Sequence, residues 1–393
     1  TSVRLGYGIY YDSPEMYLLN NMNLQAPFSF SVNFTDGLFD RPFGGRENLN
    51  VFPYAGDFDK NSPFQTPFAA VTYVPTWRQP YTQNWNVTLE RSFGAWAAQA
   101  SYVGTKGTNL VGNGNLNPPI YNYSLTLQQN QSTINQRRAL PQFQGITDLF
   151  TGLNSIYNGL QLSLRRRFGR SFSIQTAYTY SRAIDEISKN AQVTSLNVAN
   201  PFNYAMSRGP SDNDRTHVFT GSYVWSLPSP KAPLGARWLG SAIGGWEWSG
   251  IVTLATGTPF GINSTNDAMA GAGTPQALLV GDLSLPSGRS RGDEINEFFN
   301  VAGAAQALPG TWGNIGRNVL RNPDNSNFDT RIARIIPLKF RETASLQCLF
   351  EAFSALNHPQ LAAPDNRLGR STFGQVATVN GQRVLQLGLK LAF

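Results

Sequence analysis

The sequence predicts an all-β chain, an antiparallel transmembrane β-barrel present in part, with about ten strands, short turns at one rim and long loops at the other. Three observations predict it. Apolar residues recur at every second position over strand-length stretches, so each stretch has one apolar and one mixed face. The connections between these stretches alternate between short and long. Charged residues make up only 14% of the 393 residues, against roughly 25% in an ordinary soluble domain. No apolar run approaches the ~18 residues of a membrane helix, and the mean hydropathy is −0.28. A barrel needs no such run, because its lipid-facing residues alternate with lumen-facing ones.

The clearest strand is the last, Arg383–Phe393. Leu385, Leu387, Leu389, Leu391 and Phe393 share one parity, and Gln386, Gly388 and Lys390 share the other. A stretch of about ten alternating residues matches one crossing by a tilted strand. From the beginning of the chain, the first strand covers Val3–Tyr11, and residues 12–80 form a long loop rich in Asn, Pro, Gly and aromatics. Tyr81–Phe93 and Ala95–Val103 are joined at Gly94. A second long loop reaches Ser155. Tyr157–Phe168 and Ser171–Ser181 form a hairpin in which Leu160, Leu162 and Leu164 oppose Gln161, Ser163, Arg165 and Arg167. Arg166 falls on the leucine side, where a charge costs roughly 2–4 kcal/mol at mid-bilayer but little at the edge.

A third long loop leads to His217–Leu227, and a Pro-rich turn joins this to Gly245–Thr256. A fourth leads to Phe328–Pro337, the least regular strand, since Arg334 shares its parity with Ile332 and Ile336. Arg341–Ala355 follows, with Ala344, Leu346, Cys348 and Phe350 opposite Ser345, Gln347 and Glu351, and a loop through His358 and Pro359 precedes the final strand. Sandwiches and propellers do not sort their loops this way, whereas outer-membrane barrels do, with short periplasmic turns and long extracellular loops. This gives Phe393 to the periplasmic side. It makes Arg165, Arg167, Gln347, Glu351 and Lys390 the candidate lumen-facing residues. Trp85, Tyr102, Phe168, Tyr178, Trp225 and Trp246 are candidates for aromatic girdles.

Catalysis finds little to stand on. His217 and His358 are far apart in sequence, with no triad or metal pattern around them. The single cysteine, Cys348, excludes an internal disulfide framework. Asp212, Asn213, Asp214 and Arg215 could cluster oxygens for calcium, but are better read as tying a loop to the rim. The net charge is +7 and the pI about 9.5, yet the basic residues are scattered and do not point to nucleic acid. The expectation is a non-enzymatic chain without cofactor or metal. Ligand contact is assigned to loop aromatics set among Asn, Gln and Gly, chiefly Tyr121, Tyr123, Phe260 and Trp312. That mixture suits sugars or peptides.

Six stretches carry a family resemblance: YTQNWNVTLERSFGAWAAQASYVGTKGTNL (Tyr81–Leu110), YNGLQLSLRRRF (Tyr157–Phe168), TAYTYSRAIDE (Thr176–Glu186), RGPSDNDRTHVFTGSYVW (Arg208–Trp225), GNIGRNVLRNP (Gly313–Pro323) and FEAFSALNHPQL (Phe350–Leu361). In this order they resemble the C-terminal barrel of Oar-like TonB-dependent outer-membrane transporters. Those proteins, abundant in Acidobacteria, usually carry a carboxypeptidase-regulatory-like domain in front. The resemblance implies a Gram-negative outer-membrane barrel of about twenty-two strands closed around a plug and powered through the TonB complex. Residues 1–393 would be the C-terminal part of that barrel, with the plug, the regulatory-like domain and the signal peptide lying outside this chain. The implied partners are outer-membrane lipid, TonB through the plug, the barrel-assembly machinery through Phe393, and a bulky ligand such as a glycan or peptide.

Two other readings stay open: an Oar-like role in adhesion or protein export, and a secreted soluble β-protein that binds carbohydrate. The soluble reading requires Leu385, Leu387 and Leu389 to be buried against a second sheet. The partial barrel also implies that one edge of Arg383–Phe393 is unpaired or pairs with Val3–Tyr11.

Overall fold

Where β-branched and aromatic residues recur at every second position, the backbone fits a pleated sheet and successive stretches pair with their chain neighbours. The computed structural model describes residues 1–12, 39–40, 67–169, 171–188, 198–228, 244–338 and 344–393. Ten strands follow one another in a single antiparallel meander: β1 (Ser2–Tyr11), β2 (Tyr81–Phe93), β3 (Trp96–Asn115), β4 (Phe143–Gly169), β5 (Phe172–Asp185), β6 (His217–Ser226), β7 (Trp246–Ala255), β8 (Asn325–Pro337), β9 (Ser345–Phe353) and β10 (Val384–Ala392). Among the described residues β1 pairs only with β2 and β10 only with β9, so the sheet is open at both edges. Leu346 lies opposite Leu391, as the hairpin reading requires.

The register carries one apolar face across the whole sheet. One row runs Val3, Leu89, Ala100, Leu162, Tyr178, Phe219 and Leu254. Another runs Phe172, Trp225, Trp248, Ile332, Phe350 and Leu387. Among the described residues no second sheet covers this face: Leu385, Leu387 and Leu389 are 58%, 82% and 77% exposed. The opposite face carries Arg4, Thr88, Ser101, Gln161 and Thr179 in register, with the Thr88 and Ser101 hydroxyls 2.9 Å apart. Two solvents, lipid and water, account for a sheet divided this way.

Two glycines are required by geometry. Gly94, at φ +58°, makes the tight turn between β2 and β3. Gly104 lies under the Trp85 ring, where a Cβ would come within 2.2 Å of the indole. The Pro-rich turn between β6 and β7 and residues 339–343 lie outside the described residues.

Three expectations are corrected. β3 and β4 do not end near Val103 and begin near Tyr157; β3 runs on to Asn115 and β4 starts at Phe143, forming a paired stem beyond the wall. Gly, Asn and Thr dominate this stretch and hide its strand character. Tyr102 therefore lies well inside its strand rather than at an end. The short strand Phe68–Tyr73, within the stretch read as loop, pairs in parallel with Phe143–Leu149. It takes the edge of β4 that β5 leaves free past Ser155, satisfying N–H and C=O groups that would otherwise be unpaired. The two arginines on the apolar parity are also accounted for. Arg166 lies over the Trp96 and Phe172 rings at 5.5 and 5.7 Å, and Arg334 over Trp246 at 5.7 Å.

Candidate ligand-binding cap

At the rim opposite the short turns, described parts of the later long connections fold against each other. The segments 257–324 and 354–383 share a small core of Ile262, Leu283, Phe299, Ile315 and Leu368, with Phe260 and Phe373 packed against it. Phe260 lies 6.0 Å from Phe299, ring to ring, so its side chain is committed to this core. Phe150 and Tyr204 stack at 4.5 Å and join the stem to the loop between β5 and β6.

A polar knot ties the loop between β5 and β6 to the loop between β7 and β8. Arg317 donates to Asp185 at 2.6 Å and to Asp212 at 3.1 Å, and also bonds the Ser188 hydroxyl. Asn318 donates to Asp212 at 2.7 Å and to the Pro210 carbonyl at 2.8 Å. Arg321 reaches buried Asp214 at 2.5 Å. Arg215 donates to the Thr256 carbonyl at 2.8 Å, fastening the loop to the end of β7. The aspartates of the SDND stretch are thus occupied by arginines and an asparagine, and among the described residues no group of three or more His, Cys, Asp or Glu could hold a metal ion.

Tyr121, Tyr123 and Trp312 come together at the turn containing Gly310. The Tyr121 and Tyr123 rings stand 5.1 Å apart. Both close on Gly310, where a Cβ would lie 2.8–2.9 Å from their carbons, and the Tyr123 hydroxyl donates to the Gly310 carbonyl at 3.2 Å. Trp312 lies on Gly273 and meets Phe202 edge to face at 6.4 Å. Beside these rings is a cleft of about 350 Å³ lined by Ser264, Thr274, Gln276, Asp212, Arg317 and others. Phe202 and Arg317 were not singled out as site residues from the sequence; the complementary charges of RGPSDNDR and GNIGRNVLR were the available signal for the second.

On the polar face of the wall, Arg165 stands 3.8 Å from Glu90, which Arg4 contacts at 2.6 Å. These residues line a recess with Gln99, Ser163 and Gln175. Arg167 lies in β4, with its side chain outside the described residues. Gln347 is opposite Lys390, and Glu351, 3.8 Å from Arg331, is opposite Gln386 on the same face. Phe393 ends the chain just past β10, 76% exposed.

The family model described as outer membrane beta barrel domain matches residues 1–386. No curated protein matches the sequence. Among solved structures, the outer membrane transporter YddB from Escherichia coli is similar at 10% identity and TM-score 0.46, covering 98% of this chain and 38% of that one. The ferric-catecholate import receptor Fiu from E. coli matches at 8% identity and TM-score 0.40, over 98% and 32%. The FrpB iron transporter from Neisseria meningitidis matches at 12% and 0.37, over 81% and 32%. The chain therefore spans well under half the length of these structures.

Proposed function

The chain belongs to the outer membrane beta barrel domain family, and on that premise we propose that it forms the wall and outer cap of a TonB-dependent transporter for bulky ligands such as glycans or peptides. A chain of this family works at the Gram-negative outer membrane, in contact with its lipid. The observation that carries the proposal is the pairing of an exposed, largely apolar face with a folded loop cap at one rim. A passive wall needs no cap with its own core and ion-pair knot; a receptor that must hold a shaped surface toward the outside does.

In this reading the cap captures ligand without covalent chemistry. A plug carried elsewhere in the protein, responding to TonB, then opens the path. Arg165 faces that plug or the lumen water, and Phe393 is read by the barrel-assembly machinery.

The test is growth of a gene-deletion strain on polymeric glycans and on peptides as sole carbon source. A defect on at least one bulky source, restored by the intact gene and reproduced by loss of TonB, is the expected outcome. Normal growth on every source, with lost surface adhesion or lost protein export instead, would transfer the chain to the Oar-like alternative.

A further inference from the structure

Taking the cap as the capture site of the proposed transporter, we infer that its ligand is an uncharged oligosaccharide that stacks on Tyr121, Tyr123, Phe202 and Trp312 and places hydroxyls in the adjoining polar cleft. The four rings come from three distant segments, and each is held by a contact beneath it. Tyr121 and Tyr123 bear on Gly310, Trp312 bears on Gly273, and Phe202 bears on Trp312. Two of them stay uncovered above, Tyr123 at 79% and Phe202 at 62% exposed, while Tyr121 and Trp312 are half-buried. Rings fixed in place yet left in water keep the hydrophobic cost of exposure unless something covers them.

The rings and the cleft share a wall. Thr274 donates its backbone N–H to the Ala199 carbonyl at 3.0 Å, and Gln276 donates its own to the Trp312 carbonyl at 2.9 Å. Ala199, Thr274, Gln276 and Arg317 line the cleft, while Phe202 follows Ala199 by three residues and Trp312 precedes Arg317 by five. None of the four rings lines the cleft itself, so they form a ridge beside it rather than a hole for an apolar side chain. The cleft offers amides, hydroxyls and carboxylates, and among the described residues its one cation, Arg317, is engaged by Asp185 and Asp212. With Glu186 and Asp212 among its lining residues, it favours neutral hydroxyl donors over anions. A pyranose chain has both required surfaces, an apolar C–H face for the ridge and a hydroxyl rim for the cleft.

The experiment is isothermal titration of the detergent-solubilised full-length protein with maltohexaose, cellohexaose and xylohexaose, alongside polygalacturonate oligomers and a mixed hexapeptide pool. Saturable binding of at least one neutral hexaose is expected. Tyr123→Ala and Phe202→Ala should each weaken it about tenfold, the loss of one stacking ring, with an unchanged melting temperature. Trp312→Phe should retain most of it. Absence of binding by all three neutral probes, or parental affinity in both alanine variants, overturns the inference. So does binding of the peptide pool or the acidic oligomers alone; that result leaves the transporter reading standing, since the growth test decides it separately.

Discussion

Asp148 is the residue most at odds with its surroundings. It is 3% exposed in the stem, and among the described residues its Oδ1 has no hydrogen-bond partner. Burial raises its pKa. Burial first, and then the Asp148 charge, raise that of Tyr204. A carboxyl whose folded pKa lies above its unfolded value, about 3.9, binds more protons folded than unfolded between the two. Its contribution to stability is therefore best at low pH and is lost as pH rises through the folded value. Asp148→Asn is expected to flatten this dependence and leave the loops at least as protease-resistant at pH 8 as the parent. A fall in stability above about pH 4, the unfolded carboxyl value, that persists in the variant would place its source elsewhere. Nothing in FQGITDLFTG marks this aspartate, because the stem is irregular: the pairing slips past Gly107, and Gly152 sits at φ +153°. Phe260 has the same difficulty. An aromatic in a loop reads alike whether it faces water or, as here, Phe299.

Among elements, the wall strands were legible and the cap was not. β2 has the bounds its alternation suggests, and most of the others differ by a few residues, because a lipid face and a lumen face write a period of two into the chain. The cap is held by pairs such as Arg317–Asp185 that are 132 residues apart, and no local period reports such a contact. Its stretches could be recognised as words, but not as partners. Arg317→Met would leave Asp185, whose side chain is 9% exposed, buried without its cation. The expected cost is about 3 kcal/mol or more, seen as faster cleavage of the outer loops by added protease while the wall keeps its heat-modifiable migration on gels. The double variant with Asp185→Asn should recover part of the loss; equal sensitivity of single and double variants would deny the coupling.

For the whole molecule, the decisive property is continuity of one face through ten strands and nine pairings. Leu387 stands far out on that face and Gln386 on the other, one residue away. Leu387→Arg places a charge against lipid at a cost of about 2–4 kcal/mol near mid-bilayer, whereas Gln386→Arg places it in the polar interior. The expected result is a sharp fall in membrane-folded protein for the first and little change for the second, measured by heat-modifiability in outer-membrane fractions. Equal yields would mean that the face meets no lipid.

Arg166 and Arg334 each stand three residues before the end of their strands, at Gly169 and Pro337, with aromatic rings beneath their guanidinium groups. A guanidinium held there keeps its hydration only at the depth of the lipid phosphates, while the ring under it resists being drawn into water. Sinking the wall by one residue's rise, about 3.3 Å, strips the first; lifting it by as much exposes the second. The pairs thus act as a waterline, fixing the draught at which the wall floats and so the height at which its cap is presented to the outside.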